Sequence, residues 1–401
     1  MSTNILDEQR TRAPRVFFAY GFRPFFLLAG VSAAVLVPLW VCVLTGTFGL
    51  GGSVPPSGWH AHEMLFGFAA AAVAGFLLTA IPSWTGTTAV SGPPLMGLVA
   101  LYLAGRVASL PVLADHGLAA AVDLAFLPAL GALVAGPLVR AGKARNTAFL
   151  ALLALLTAAN ALFRLEWLGV TVGTAQLGIA LAIGVVLQMV AVIGGRIVPS
   201  FTQNALRIRD PGVVIKPLPK LERAVLVLTA LLIPADLLLP GSAVAGGLAL
   251  AAAAAHGVRL SRWKGYRTLG QPVLWILHAG YAWIVVALAL KGLEFAAGLP
   301  LSGAWLHALT AGAFTTMILG VMTRAALGHT GRAIVVSRTT AAAYVLVLLA
   351  GLARTLLPML PDGAWLPLVH AAGALWTLGF ALFLWVYGPI LTGPRADGRP
   401  G

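Results

Sequence analysis

Histidine is the side chain of this sequence best suited to chemistry, and four of its eight copies share a predicted depth. His60 and His62 open one apolar stretch, while His307 and His370 each lie about one helical turn into a later one. If these stretches cross a membrane as helices, a rise of about 1.5 Å per residue brings all four to one layer near the outer face. An ionisable residue at such a depth is a functional hypothesis by default.

Neutral imidazole is a common metal ligand and an axial ligand of haem. His62 and His307 suit a haem b that takes one histidine on each face. Two residues turn a helix by about 200°, so His60 points away from His62. Copper also accepts imidazole, which makes His60 and His370 the candidates for a second metal. The alternative for any single histidine is a hydrogen bond to a neighbouring helix.

Two neighbours of these histidines have open roles. Glu63 either orients a histidine through a hydrogen bond or faces water at the outer leaflet. Met64 is a weak third copper ligand, because a thioether binds reduced copper, and packing explains it more simply.

The elements that must position these residues are membrane helices. The chain is 59% hydrophobic and 9% charged, whereas a soluble domain carries about 25% charged residues. Apolar runs near 20 residues recur along the sequence, and each is long enough to cross a bilayer. The fold class predicted is therefore an all-α integral membrane protein. The formal charge of +14 does not indicate nucleic-acid binding, because the basic residues are spread over many short loops.

Cysteine usage and the N-terminal segment add two limits. Cys42 is the one cysteine of the sequence, which excludes internal disulfides and zinc sites built on several thiolates. Residues 1–20 lack the apolar core of a signal peptide, so the first helix is expected to remain as an anchor.

Twelve transmembrane helices are predicted in a single transmembrane domain, residues 1–401. The predicted limits are 25–46, 62–84, 93–110, 117–138, 146–163, 172–195, 221–239, 242–258, 271–291, 303–326, 337–358 and 365–388. With both termini in the cytoplasm, every basic residue falls on the cytoplasmic side except four, as the positive-inside rule requires. The four exceptions are Arg106, Arg164, Lys291 and Arg354.

An internal repeat is predicted from the second and tenth helices. Counted from His62 and from His307, both sequences have glycine at +5 and +13, threonine at +23 and glycine at +24. The sixth helix shares the ending PSFT with PSWT of the second. Three pseudo-repeats of four helices follow, near residues 1–142, 143–265 and 266–401. The glycines at +5 are expected to give a haem macrocycle room.

Arginines mark the predicted cytoplasmic edge in three stretches: GFRPFF (21–26), GGRIVPSFTQN (194–204) and RAALGHTGR (324–332). Arg23, Arg196 and Arg324 are candidates for gripping an anion such as a haem propionate. The alternative is that they set topology while nearby Ser, Thr and Asn cap helices.

These three stretches, together with WHAHEM (59–64) and the GF that follows it, resemble the NnrS family of bacterial membrane proteins. The resemblance extends over nearly the whole chain. It implies twelve spans, haem and copper as cofactors, and a role in nitric oxide metabolism, denitrification and nitrosative stress. It assigns no metal ligand residue by residue.

A more distant similarity is to the catalytic subunits of haem–copper oxidases and nitric oxide reductases, whose second and tenth helices hold a low-spin haem. This sequence departs from them: the tenth helix lacks a His-x-His pair, and the sixth and seventh have no histidine where copper ligands would lie. A reductase-type binuclear centre is not expected.

The function expected is a haem-binding and copper-binding protein of the bacterial inner membrane that binds or processes nitric oxide, with nitric oxide or a related small molecule, the lipid bilayer and an electron donor as partners. The alternative is a transporter or channel without a redox cofactor, since repeats, buried glycines and edge arginines suit it too. A membrane sensor is a third interpretation, but no signalling domain accompanies the helices.

Overall fold

The computed structural model describes residues 16–399, and its regular elements there are all helical. Twelve helices of at least 16 residues follow one another in this part of the chain. They are α1 (Phe22–Leu44), α2 (Pro56–Thr85), α3 (Pro93–Ala108), α4 (Gly117–Arg140), α5 (Ala144–Trp167), α6 (Thr174–Arg209), α7 (Pro219–Leu238), α8 (Ala243–Ser261), α9 (Pro272–Ala297), α10 (Ala304–His329), α11 (Arg338–Leu356) and α12 (Trp365–Thr392).

Ten of these helices are long and apolar enough to cross a membrane. The prediction of an all-helical, multi-pass membrane protein is confirmed. The two others are α3, which is apolar but short, and α7, which carries charged residues at both ends. All twelve coincide with the predicted positions, while the number of spans and the three pseudo-repeats stay predictions.

The predicted boundaries that differ most from the structure are the start of α2 and the ends of α6 and α9; α9 ends at Ala297, not at residue 291. Helix α2 begins at Pro56, not at residue 62, because proline at the first helical position loses no hydrogen bond there. His60 and His62 therefore lie inside the helix. Helix α6 continues through Pro199 to Arg209, far past the predicted end at residue 195. A proline in a helix removes one hydrogen bond without necessarily ending the helix.

The described residues form two compact units. The first holds the residues up to Ala182 together with Met322–Ile334 and those from Phe380 on, and the second holds Ile183–Val321 and Val335–Gly379. Within the first unit, aromatic side chains fill the space between helices: Phe25 of α1 contacts the rings of Tyr102 and Phe126. Within the second, α8 and α9 approach closely, and this contact requires glycine.

Gly246 on α8 and its neighbour Gly247 provide a matched test of that contact. A β-carbon at Gly246 would lie 2.5 Å from the backbone nitrogen of Ala296, whereas one at Gly247 meets nothing within 4 Å. Gly246→Ala is expected to lower the free energy of unfolding by about 1–3 kcal/mol, because the two helices must separate. Gly247→Ala is expected to leave the protein slightly more stable, by roughly 0.5–1 kcal/mol, since alanine favours a helix. Unfolding in detergent measures both changes. If the two substitutions change the free energy of unfolding equally, α8 and α9 do not approach each other closely at Gly246.

Candidate functional site

His62 lies in a fully buried polar site of the first unit. Its Nδ1 is 3.1 Å from Oε1 of Glu63, and its Nε2 is 2.9 Å from Oδ1 of Asn160 and 3.2 Å from Oδ2 of Asp123. The rings of Phe66 and Trp167, at centroid distances of 5.0 and 4.9 Å, cover the imidazole. Both ring nitrogens therefore face oxygen atoms of other side chains.

Asp123 of α4 connects His62 of α2 to side chains of α3 and α5. Its Oδ1 accepts a hydrogen bond from Arg106 of α3, and its Oδ2 accepts from Nδ2 of Asn160 at 2.8 Å and from Nε of Arg164 at 3.0 Å, both on α5. Arg106 also donates to Glu63 at 2.6 Å. We call this set of side chains the Asp123 cluster; its members are His62, Glu63, Arg106, Asp123, Asn160 and Arg164.

The hydrogen bonds of the cluster place protons on His62. Asn160 donates to Asp123 through Nδ2, so its Oδ1 is an acceptor and Nε2 of His62 must donate to it. Oε1 of Glu63, which accepts from Arg106, also faces Nδ1 of His62. A hydrogen bond between these two atoms requires a proton on one of the two groups. The cluster therefore has the groups to hold a proton among buried side chains.

The backbone beside His62 is irregular in a way that favours a functional site. The seven residues Glu63–Ala69 form a π-helical segment, and such segments frequently mark functional positions. The hydroxyl of Tyr102 donates to the carbonyl of Gly67 at 3.1 Å within this segment. Helix α10 has the same feature: the seven residues Ala308–Phe314, directly after His307, are also π-helical.

The ends of the two helices match as well. Thr85 and Thr330, at the +23 positions, each donate to the carbonyl four residues earlier. Gly86 and Gly331, at the +24 positions, have φ of 72° and 69°, the left-handed conformation that commonly ends a helix at glycine. Sequence steps that α2 and α10 share thus correspond to shared local structure.

The residues around His62 do not fit an axial haem ligand as they are arranged. Coordination of iron would require Nε2 to give up Asn160 and Asp123, or Nδ1 to give up Glu63. The expected room for a macrocycle is filled: a β-carbon at Gly67 would lie 3.2 Å from Glu63, and one at Gly312 would lie 2.7 Å from the Trp283 ring. Among residues 16–399, no group of three or more His, Cys, Asp or Glu side chains is placed to hold a metal ion.

The other predicted ligands lie apart from this cluster. His60 stacks on Trp40 at 4.5 Å, with 9° between the rings, so it faces a different side of α2 as predicted. His370 is exposed on α12, and its Nδ1 lies 2.9 Å from the carbonyl of Leu366, to which it donates. His307 is half-buried in the second unit. Whether any of these side chains binds haem or copper stays a prediction.

Two of the arginine stretches meet in the first unit. Arg23 is fully buried, and its Nη1 donates to the carbonyls of Leu391 and Gly393 at 3.0 and 2.7 Å, at the end of α12. Nearby, a cavity of about 990 Å³ is lined by Tyr20 and His329 together with hydroxyl groups from residues 79–91. The guanidinium group of Arg23 is therefore hydrogen-bonded to backbone carbonyls of the same chain. Arg324, in the first unit, and Arg196, in the second, are half-buried.

The segment after α12 packs on the end of α10. Arg395 donates to the carbonyl of His329 at 2.8 Å, and the amide of Ala396 donates to Thr330 at 2.9 Å. Hydrogen bonds from Arg395 lower the pKa of Asp397 to about 2. The carboxylate is therefore ionised at neutral pH and pairs with Arg395 within the segment.

Sequence reasoning did not identify Asp123, Asn160 or the pairing of Arg106 and Arg164. Their signal was present, because both arginines violate the predicted charge distribution. Lys291, another exception, is paired too: its Nζ is 2.5 Å from Oδ2 of Asp236 and lies 4.4 Å from the centre of the Trp305 ring. An intramembrane charge that breaks the positive-inside rule is best searched for a buried partner.

Comparison with known families agrees with the resemblance of the sequence motifs. The pattern of the family described as NnrS protein matches residues 16–395, which is nearly the whole chain. No curated protein matches it. The match includes all twelve helices and therefore the Asp123 cluster and both π-helical segments. The chain belongs to the NnrS family.

Proposed function

We propose that this chain is an inner-membrane protein of nitric oxide metabolism and nitrosative stress defence that binds or processes nitric oxide. The observation that carries the proposal is membership of the NnrS family over residues 16–395. The ten long apolar helices agree with a site inside the bilayer. The proposal includes cytoplasmic termini, which rest on the distribution of basic residues.

The Asp123 cluster is the site that the geometry favours. Charged side chains within a membrane are unfavourable unless they are paired, and they mark ion and proton pathways. A hydrogen bond between His62 and Glu63 requires a proton there, with Arg106, Asp123 and Arg164 as the neighbouring charges. Reduction of nitric oxide consumes protons, so a buried group that holds one serves such a reaction. The role assigned to the cluster is to hold and position that proton.

The cofactor part of the proposal, haem and copper, comes from the family resemblance. Both ring nitrogens of His62 face oxygen atoms of other side chains, so the residues around it do not fit an iron ligand as they are arranged. The same observation favours a second candidate, a transporter without a redox cofactor. In that case His62, whose two ring nitrogens both have hydrogen-bond partners, belongs to an ion pathway between α2, α3, α4 and α5.

A visible spectrum with metal analysis of the protein purified from haem-replete cells separates the two candidates. A Soret band supports the haem protein, and its absence supports the transporter. The spectrum tests each predicted ligand separately: if His62 binds haem, His62→Ala abolishes or converts the low-spin spectrum, and if His307 binds haem, His307→Ala does so.

Two further histidines serve as controls for that measurement. His116→Ala, at an exposed position, should leave the spectrum intact. His60→Ala should spare haem, because its ring stacks on Trp40 on another side of α2, and should lower the copper content if copper binds there. Haem that survives in both the His62→Ala and the His307→Ala protein would exclude these two residues as ligands.

A further inference from the structure

Tyr281 and His256 form a buried pair in the second unit, away from the Asp123 cluster. Both side chains are fully buried, and the phenol oxygen of Tyr281 lies 2.8 Å from Nδ1 of His256. Tyr281 is on α9 and His256 is on α8. A tyrosine bonded to a histidine is a proton donor beside a base, provided that the proton lies on the phenol.

The partners of both residues fix the position of that proton. Thr229 donates its hydroxyl hydrogen to the carbonyl of Val225 at 2.6 Å, so its oxygen must accept from Nε2 of His256, 2.9 Å away. Arg259, which only donates, bonds to the Tyr281 oxygen at 2.9 Å. The phenol hydrogen is then left for Nδ1. His256 is neutral, and Tyr281 donates to it.

The charges around the pair favour this arrangement. Arg259 also donates to the carbonyl of Ala191 at 2.9 Å and forms an ion pair with Glu222. Its guanidinium group fills the space beside Gly195, which explains a glycine of the GGRIVPSFTQN stretch. A fixed cation next to the phenol oxygen keeps His256 neutral while Tyr281 is reduced. A phenol that has lost an electron is a far stronger acid than the phenol itself, so its proton can still pass to the neutral imidazole. Arg259 of α8 is the charged group bonded to the pair, and Glu222 of α7 is bonded to Arg259.

A second aromatic ring extends the pair. The ring of Trp263 lies 4.5 Å from that of Tyr281, centroid to centroid. Electrons pass readily between aromatic rings in contact, so oxidation of either residue can reach the other. Tyr281 is thus buried and has both a proton acceptor and a neighbouring electron donor.

We propose that Tyr281 is a site of one-electron oxidation coupled to proton transfer to His256. The oxidant is a small membrane-soluble radical of the nitrogen dioxide class, which forms from nitric oxide and oxygen; the proposed function supports only this choice of oxidant. Nitrogen dioxide takes one electron and becomes nitrite, the phenol O–H bond breaks, and the proton moves to Nδ1 of His256. A tyrosyl radical and an imidazolium remain. A second nitrogen dioxide forms a bond to the ring carbon next to the phenol carbon. The hydrogen of that ring carbon leaves as a proton and re-forms the phenol O–H, which gives 3-nitrotyrosine.

Tyr102 is the matched control. It is as buried as Tyr281, but its hydroxyl donates to the carbonyl of Gly67, which cannot take up a proton, and its other partner is Ser32. The full chain in lipid nanodiscs is exposed to a nitrogen dioxide source, and 3-nitrotyrosine is measured by peptide mass spectrometry. We expect nitration of Tyr281 to exceed that of Tyr102 several-fold. Equal nitration of the two would overturn the proposal.

His256→Gln tests the base, since glutamine accepts a hydrogen bond but not a proton. Nitration of Tyr281 is expected to fall to the level of Tyr102, and unchanged nitration would contradict the role of His256. If that variant does not fold, the pH dependence in the unaltered chain decides. An internal base makes the rate at Tyr281 independent of pH from roughly 6 to 8, whereas proton loss to water makes it rise. The oxidant is added in this experiment, so a lack of selective nitration at Tyr281 would not contradict the proposed function. A missing Soret band would in turn not contradict the oxidation of Tyr281.

Discussion

Replacement of Asp123 by alanine is expected to lower the free energy of unfolding by about 3–5 kcal/mol, the range seen when one partner of a buried ion pair is removed. Asp123 is fully buried and accepts hydrogen bonds from Arg106, Asn160 and Arg164. Without it, two guanidinium groups and His62 lose their shared anion in a buried region. Chemical unfolding in detergent, followed by circular dichroism, measures the change.

Asp115→Ala is the control for this substitution. Asp115 is an exposed carboxylate before α4, and its pKa is lowered chiefly by a hydrogen bond from Ser53. Substitutions at exposed positions usually change the free energy of unfolding by less than about 0.5 kcal/mol. A loss at position 123 as small as the loss at position 115 would show that the Asp123 cluster does not hold α3, α4 and α5 together.

The course of the chain was predictable because apolar length and loop charge act locally. Ten of the twelve helices lie where an apolar run of sufficient length lies, and the prediction erred at two helix ends that lie near prolines. At Pro56 proline starts α2, and at Pro199 it lies within α6. Proline is favoured at the first position of a helix and disfavoured in the helix interior. A proline in the sequence can therefore indicate either the start or the end of a helix.

The composition of the site was predictable only in part. His62 was identified because a histidine within an apolar run stands out, and Glu63 was named as a residue that could orient it. Asp123 and Asn160 come from other helices, and sequence spacing along α2 contains no information on which faces of α4 and α5 turn toward it. The π-helical segment was not predictable either, since it changes which residues of α2 share a face.

The basic residues that break the positive-inside rule were the strongest sequence signal for the buried ion pairs. Arg106, Arg164 and Lys291 were each assigned to the outer side, where a loop cation is unexpected. The structure places all three in ion pairs, with Glu63 or Asp123 for the arginines and with Asp236 for the lysine. The acidic partner, and not the orientation of the helices in the membrane, explains a cation in such a place. The pair Lys291–Asp236 is simple enough to test this explanation by itself.

Asp236→Leu is expected to lower the free energy of unfolding by about 3–5 kcal/mol, because it leaves the ammonium group of Lys291 buried against Trp305 without an anion. The double substitution Asp236→Leu with Lys291→Met should recover most of that loss, since replacing both members of a buried pair by apolar residues is often neutral. Lys220→Met, at an exposed position of α7, should change little. Unfolding of the three variants in detergent measures how much of the loss caused by Asp236→Leu the second substitution recovers. A double variant less stable than Asp236→Leu would mean that the pair stabilises the fold beyond cancelling its own charges, and that Lys291 has a further partner.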